Sequence, residues 1–316
     1  MSNDNKNIKA ALKKILVPHL AAEEFPGKFP EFTRREGDTL HLLSVQFDKW
    51  GGGFFLGFAP YPPGDKTMSW AKLRFDVYAP RQARNAPIIF IVHGGAWRIG
   101  DKAAKSVIEN KVARWVPMGF ILISTNYSLL PQADPMQQSR DVARALAVAQ
   151  NRAASWGGDG GKVILMGHSA GAHLVSLLAT APQISSGIIS TSWLGTISLD
   201  TAALDVVKIM EEKHTRLYDR AFGRNPEYWR SVSPFHAVTG EARSILVVCS
   251  TRRGDSCRQA DRFVAKASSL GVKATTLKHN FSHRQINRRL GNDNRFTAEV
   301  ESFMARLHRS VARTLK

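Results

Sequence analysis

The stretch KVILMGHSAGAHL, Lys162–Leu174, runs from a continuous apolar segment into a serine held between small residues. Gly167, His168, Ala170 and Gly171 surround Ser169, and AGAHLVSLLATA continues as a helical pattern. A serine can simply cap such a helix. A serine on a tight strand-to-helix turn, however, needs glycine at both flanks, because Cβ groups would clash where the strand and the helix pass closely. The second reading makes Ser169 a candidate nucleophile and places a strand before it and a helix after it.

The surrounding sequence repeats that alternation. LRFDVYAP, PIIFIV, FILISTNY, KVILMG, GIISTSWLG, SILVVCS and VKATTLK read as strands, and helical patterns separate most of them. Continuous apolar strands alternating with helices predict an α/β fold: a mostly parallel central sheet with helices on both faces. Thr196 to Val238 interrupts the rhythm with helical patterns and the aromatic residues Tyr218, Phe222, Tyr228 and Trp229. It reads as a helical insertion that shapes a pocket, or as an ordinary helical connection. Before residue 71, DTLHLLSVQFDKWGGGFFLGFAPYP reads as a hairpin with a glycine-rich turn, and Ile8, Leu12, Ile15 and Leu16 recur at helical spacing. The expected division is an N-terminal α+β extension over 1–70 and a catalytic domain over 71–316.

Composition bounds the partners. The 316 residues carry a formal charge of +18, and 43% are hydrophobic, enough for a sizeable core. From Glu241 to Lys316 there are 16 Lys and Arg against 6 Asp and Glu, so over half of the excess lies there. No dense basic block with interleaved aromatics accompanies it, so it reads as a solvated basic face rather than a nucleic-acid site. Neither a signal-peptide pattern nor a membrane-spanning run is evident, which leads to the expectation of a cytoplasmic, soluble protein. Cys249 and Cys257, eight positions apart, are expected as two buried free thiols, although a local disulfide is conceivable. Nothing beside them has metal-ligand spacing, and no cofactor is expected.

A serine hydroxyl needs a base, the base needs an orienting carboxylate, and the oxyanion needs backbone donors. In a doubly wound sheet these groups gather at the carboxyl ends of strands. After PIIFIV comes HGGAW, where Gly95 and Ala96 can offer N–H groups, joined by Ala170 after the serine; Trp97 would line the pocket. After SILVVCS comes Asp255, whose bland reading is a helix cap; Asp261 competes but falls within the helical pattern. After VKATTLK come His279 at the strand end and His283 in the loop. His283 is the candidate base. His168 and His173 read as packing or polar support, and His93 as a hydrogen-bonder beneath the oxyanion loop.

DVYAP, HGGAWRIGDK, NYSLLP, WGGDGGKVILMGHSAGAHL, AFGRNPEYWRSVSP, DSCRQA and SHRQIN together resemble the α/β-hydrolase superfamily. The likeness is to the esterase and lipase branch with an H-G-G-x-W oxyanion loop, which also holds the kynurenine formamidases. It covers some three quarters of the chain. The resemblance implies Ser169 as nucleophile, His283 as base, Asp255 as its orienter, and Gly95, Ala96 and Ala170 as the oxyanion hole. The expected reaction is hydrolysis of a small carboxylic ester through an acyl-enzyme, with an aryl formamide as the alternative substrate. A rival of another class is a non-catalytic binding protein on a hydrolase scaffold, and the helical insertion is expected after the sixth strand. Two features depart from the branch: Ser128 stands in NYSLLP where arginine is common, and the first seventy residues have no counterpart.

Overall fold

The computed structural model describes residues 74–316, four strands before them and the helical positions Lys14 and Pro18. The remainder of the expected N-terminal helix lies outside the described residues. The chain divides into two compact units, Met1–Asp76 and Val77–Lys316, a boundary six residues beyond the expected one. In the first, β1 (Gly27–Lys28), β2 (Glu31–Glu36), β3 (Thr39–Phe47) and β4 (Phe54–Tyr61) form an antiparallel sheet in sequence order. The β3–β4 pair, in register from Leu40 opposite Tyr61 to Phe47 opposite Phe54, is the hairpin that alternation around the glycine-rich turn predicts.

The second sheet holds β5 (Phe75–Tyr78), β6 (Ala86–Val92), β7 (Ile121–Thr125), β8 (Gly158–His168), β9 (Gly195–Leu199), β10 (Ile245–Ser250) and β11 (Ala274–His279). Their spatial order is β11-β10-β9-β8-β6-β7-β5. The pairs from β7 through β11 are parallel. Every residue of β6, β7, β9 and β10 is buried, which is why these strands read as unbroken apolar runs rather than alternating ones. Helices Lys105–Trp115, Pro135–Arg152, Ala170–Thr180, Gly254–Ser269 and Arg295–Leu307 lie between or after the strands. Ile89, Leu122, Met166, Ile197 and Val248 from the sheet pack with Trp115, Ile286, Phe296 and Phe303 in the core.

Two expectations need correction. The fifth strand of this sheet is GTISL, Gly195–Leu199, and not GIISTSWLG. Both runs are β-branched and apolar, but Gly187–Ser192 lies in a turn region, and only 195–199 pairs between β8 and β10. The helical insertion therefore starts after Leu199, not at Thr196, and follows the fifth strand of this sheet rather than the sixth. It contains the short helices Val206–Glu211, Arg216–Phe222, Pro226–Ser231 and Pro234–Ala237. Second, Cys249 at the end of β10 and Cys257 in the first turn of the following helix are joined in a disulfide, not free. The bond closes a loop of eight-residue separation. Loop-closure entropy assigns it about 2–3 kcal/mol. Cys249→Ser with Cys257→Ser is expected to lower the urea midpoint accordingly; an unchanged midpoint would show that the bond is not formed in solution.

Among the described residues, no helix is long and apolar enough to cross a membrane, and no cluster of His, Cys, Asp and Glu could hold a metal ion.

Lys111 is buried on the Lys105–Trp115 helix, and its Nζ donates to the Asn287 carbonyl at 2.7 Å and to Asn287 Oδ1 at 3.1 Å. It thereby ties that helix to His283–Arg289. Burial lowers its pKa to about 7. An unfolded lysine holds its proton to about 10.4, so between these values the unfolded chain binds more protons and stability rises with pH. Urea unfolding at pH 7, 8 and 9 is expected to show a rising contribution that Lys111→Met lacks. Parallel profiles for the two proteins would contradict this.

Candidate active site

Ser169 directly follows β8 and caps the Ala170–Thr180 helix with φ 57° and ψ −117°, a conformation that non-glycine residues seldom adopt. The turn is held by the Ser169 N–H donating to the Leu199 carbonyl at 2.9 Å. The small flanks have the expected cause: a Cβ on Gly167 would come within 2.3 Å of the Gly171 carbonyl oxygen. Ser169 Oγ lies 2.9 Å from His283 Nε2. His283 opens the His283–Arg289 helix beyond β11, where Ser282 and Gln285 form a capping box that fixes its first turn.

The carboxylate on the other side of the imidazole is Asp200, with Oδ2 accepting from His283 Nδ1 at 2.6 Å. Asp255, the residue expected there, does not reach it. Asp255 stands in the first turn of Gly254–Ser269 with its side chain half exposed. Its Oδ1 accepts from the Ser256 N–H at 2.8 Å and its Oδ2 lies 3.5 Å from Arg253 Nη2. A position in the first helical turn suits an acidic side chain through the helix dipole, and that is the role the geometry gives it. The competitor Asp261 pairs at the surface with Lys278 Nζ at 2.7 Å.

Asp200 follows β9 directly with φ 53°, a region that Asp tolerates better than most residues. Its side chain is fully buried. Oδ1 accepts from the Ser250 N–H at 2.8 Å and from Ser256 Oγ at 2.6 Å, and Arg253 Nη1 lies 3.1 Å from Oδ2. Burial would raise the pKa of such a carboxyl. The hydrogen bonds from His283 and Ser256, the Arg253 charge and the Ser250 N–H outweigh it and hold the group well below the usual carboxylate range. Asp200 is thus a fixed anion against the imidazole. The available signal for it was the pattern of a short β-branched run, TISL, ending in Asp.

Gly95, Ala96 and Trp97 all have positive φ, at 125°, 56° and 58°. Glycine is required at position 95, where a Cβ would fall 1.8 Å from the Ile99 carbonyl oxygen. A cavity of about 260 Å³ lies beside Ser169, lined by Ala96, Trp97, Ala170, Leu217, Tyr218 and Arg253 among others. Ala96 and Ala170 therefore border the serine's cavity, whereas Gly95 is not among its lining residues. Its carbonyl accepts from the N–H groups of Arg98 and Ile99. The N–H of Ala170 begins a helix and has no acceptor within it.

Trp97 is almost wholly buried, its indole N–H donating to His173 Nδ1 at 3.2 Å and its ring packed on Phe222 and Tyr218. Tyr218 borders the cavity, whereas Phe222 backs Trp97. Trp229 Nε1 donates to the Phe222 carbonyl, and Tyr228 Oη accepts from the Met136 N–H. The remaining histidines brace the site. His173 Nε2 donates to the Val232 carbonyl at 2.7 Å, and burial pushes its pKa down to about 4. His168 Nε2 donates to the His283 carbonyl at 3.0 Å, and burial, with the neighbouring His283, takes it to about 3. His93 stacks on Tyr127, whose hydroxyl donates to the His93 carbonyl. His279 is bonded to Glu299.

The family model of the BD-FAE family matches residues 75–269, more than half of the chain. The chain belongs to the BD-FAE family. Among curated relatives of this BD-FAE member, Esterase LipQ of Mycobacterium tuberculosis is 30% identical over 200 residues, covering 60% of this chain and 47% of LipQ. The isoprenylcysteine alpha-carbonyl methylesterase ICME of Arabidopsis thaliana is 29% identical over 223 residues, covering 64% and 51%. The chain thus spans about half the length of these relatives. Among solved structures, the apo form of Thermogutta terrifontis esterase 2 superposes with a TM-score of 0.62 at 19% identity, over 77% of this chain and 92% of that one. A truncated carbohydrate esterase from gut microbiota does so at 0.62 and 18%, over 74% and 90%. Both likenesses place the BD-FAE member in the α/β-hydrolase fold.

Proposed function

We propose that this chain is a serine carboxylesterase that works through an acyl-enzyme, with Ser169, His283 and Asp200 as its catalytic triad. The observation that carries the reading is the unbroken chain from Ser169 Oγ to His283 Nε2 at 2.9 Å and from His283 Nδ1 to Asp200 Oδ2 at 2.6 Å, at the wall of a cavity. Ser169 Oγ attacks the ester carbonyl while His283 Nε2 takes its proton, and the buried Asp200 anion stabilises the imidazolium. The N–H groups of Ala96 and Ala170 receive the oxyanion. His283 then protonates the departing alkoxide, and a water activated by the same imidazole hydrolyses the acyl-enzyme.

The relatives named esterase support ester over amide substrates, and the small cavity fits short to medium acyl groups. The chemistry belongs to the unit Val77–Lys316, slightly shorter than the expected 71–316 span. A Cys249–Cys257 disulfide fits a compartment that keeps thiols oxidised and sits poorly with the cytoplasmic expectation. The test is turnover of p-nitrophenyl esters of graded acyl length beside an N-formyl aryl amide. Short esters should be hydrolysed best. A higher kcat/KM for the aryl formamide would overturn the ester assignment.

A further inference from the structure

We propose that Arg253 is a specificity residue that binds an anionic group on the substrate, so that the preferred esters carry a carboxylate a few bonds from the reacting carbonyl. The inference rests on the esterase reading above. Arg253 follows β10, and its guanidinium lines the cavity together with Ser169, His283, Leu217 and Tyr218. Its side chain is one quarter exposed, so it is neither sealed in nor free in solvent.

Arg253 is one of several partners of Asp200, and both carboxylate oxygens have other donors. Ser250 N–H and Ser256 Oγ already serve Oδ1, and His283 Nδ1 serves Oδ2 at 2.6 Å, shorter than the 3.1 Å to Arg253. Among the described residues, Nη2 has only a 3.5 Å contact to the half-exposed Asp255, the kind of surface pair that contributes little. The guanidinium cannot shed its proton and presents five donors in a planar fork that matches a carboxylate. Nη1 also donates to the Asp200 carbonyl at 3.2 Å, so among the described residues it is Nη2 and Nε that lack a good acceptor.

The placement of Nη1 adds a catalytic consequence. It lies 2.8 Å from His283 Nδ1. That nitrogen must keep its proton for Asp200, because a bare Nδ1 would set two acceptors 2.6 Å apart. Two donors, one of them cationic, thus face each other, and the imidazole must itself become a cation when Ser169 attacks. A carboxylate on Arg253 offsets that repulsion as the imidazolium forms. One imidazole ring and two short contacts separate the guanidinium from Ser169 Oγ, so a dicarboxylic half-ester has a suitable span. The +18 net charge favours the approach of such an anion.

The test compares kcat/KM for p-nitrophenyl hemisuccinate and for p-nitrophenyl butyrate, in the wild type, Arg253→Gln and Arg253→Lys. The wild type should prefer the hemisuccinate by roughly ten- to a hundredfold, the range of a charge-assisted hydrogen bond. Arg253→Gln should bring the ratio to one or below whatever its overall activity, and Arg253→Lys should restore part of it. Using the ratio separates recognition from any effect of Arg253 on Asp200. A wild-type ratio at or below one, or a ratio unchanged in Arg253→Gln, overturns the proposal while leaving the esterase reading intact. Turnover of neither ester overturns both.

Discussion

Asp200→Asn lowers kcat/KM for a short-chain ester by roughly 10³- to 10⁴-fold, the scale seen when the acid of a Ser-His-Asp triad becomes an amide. Asp255→Asn changes it no more than a few-fold. The amide keeps the shape of the carboxylate but can present an N–H to His283 Nδ1, which then accepts and leaves its proton on Nε2. The imidazole would face Ser169 Oγ with a donor and could not act as a base. The buried anion that offsets the imidazolium is lost as well. Asp255 has neither lever: its carboxylate is half exposed and bonded to Ser256 N–H and, weakly, to Arg253. Steady-state kinetics of the two purified variants decide between the carboxylates. A large loss in Asp255→Asn with a mild one in Asp200→Asn would return the role to the loop after β10.

Ser169→Ala removes roughly three or more orders of magnitude from kcat, since the members of a triad act as a unit. The fold should persist. The backbone contacts that hold the turn, Ser169 N–H to the Leu199 carbonyl and His173 N–H to the Ser169 carbonyl, do not use the side chain. A circular dichroism spectrum and urea midpoint near those of the wild type, with activity gone, is the expected pair of results. Residual activity near the wild-type level would place the nucleophile elsewhere.

The sequence made the sheet legible because β6, β7, β8 and β10 are buried along their apolar runs, and burial on both faces writes an unbroken apolar run. Ser169 was legible through Gly167 and Gly171, whose close approach forbids larger residues. His283 was legible as a loop histidine beyond the last strand of the alternation. Asp200 was not. Its strand is only five residues long, and GIISTSW just before it is similarly apolar and β-branched, which moves the apparent strand end away from the carboxylate. Asp255 follows a well-marked strand, but three-dimensional proximity to His283 depends on which way each loop turns. Here β10 runs into a loop stapled by Cys249–Cys257, whose Ser250, Arg253 and Ser256 all reach toward Asp200. The loop supports the acid rather than supplying it. The disulfide was equally hidden, because a separation of eight residues permits a bond without requiring one.

The central claim is that Ser169 is an activated nucleophile, and covalent labelling with a fluorophosphonate followed by peptide mass spectrometry tests it most directly. A single adduct is expected on the peptide carrying Ser169, absent from Ser169→Ala and strongly slowed in His283→Ala. Folded wild-type protein that takes up no label, or takes it up on a different serine, would contradict it.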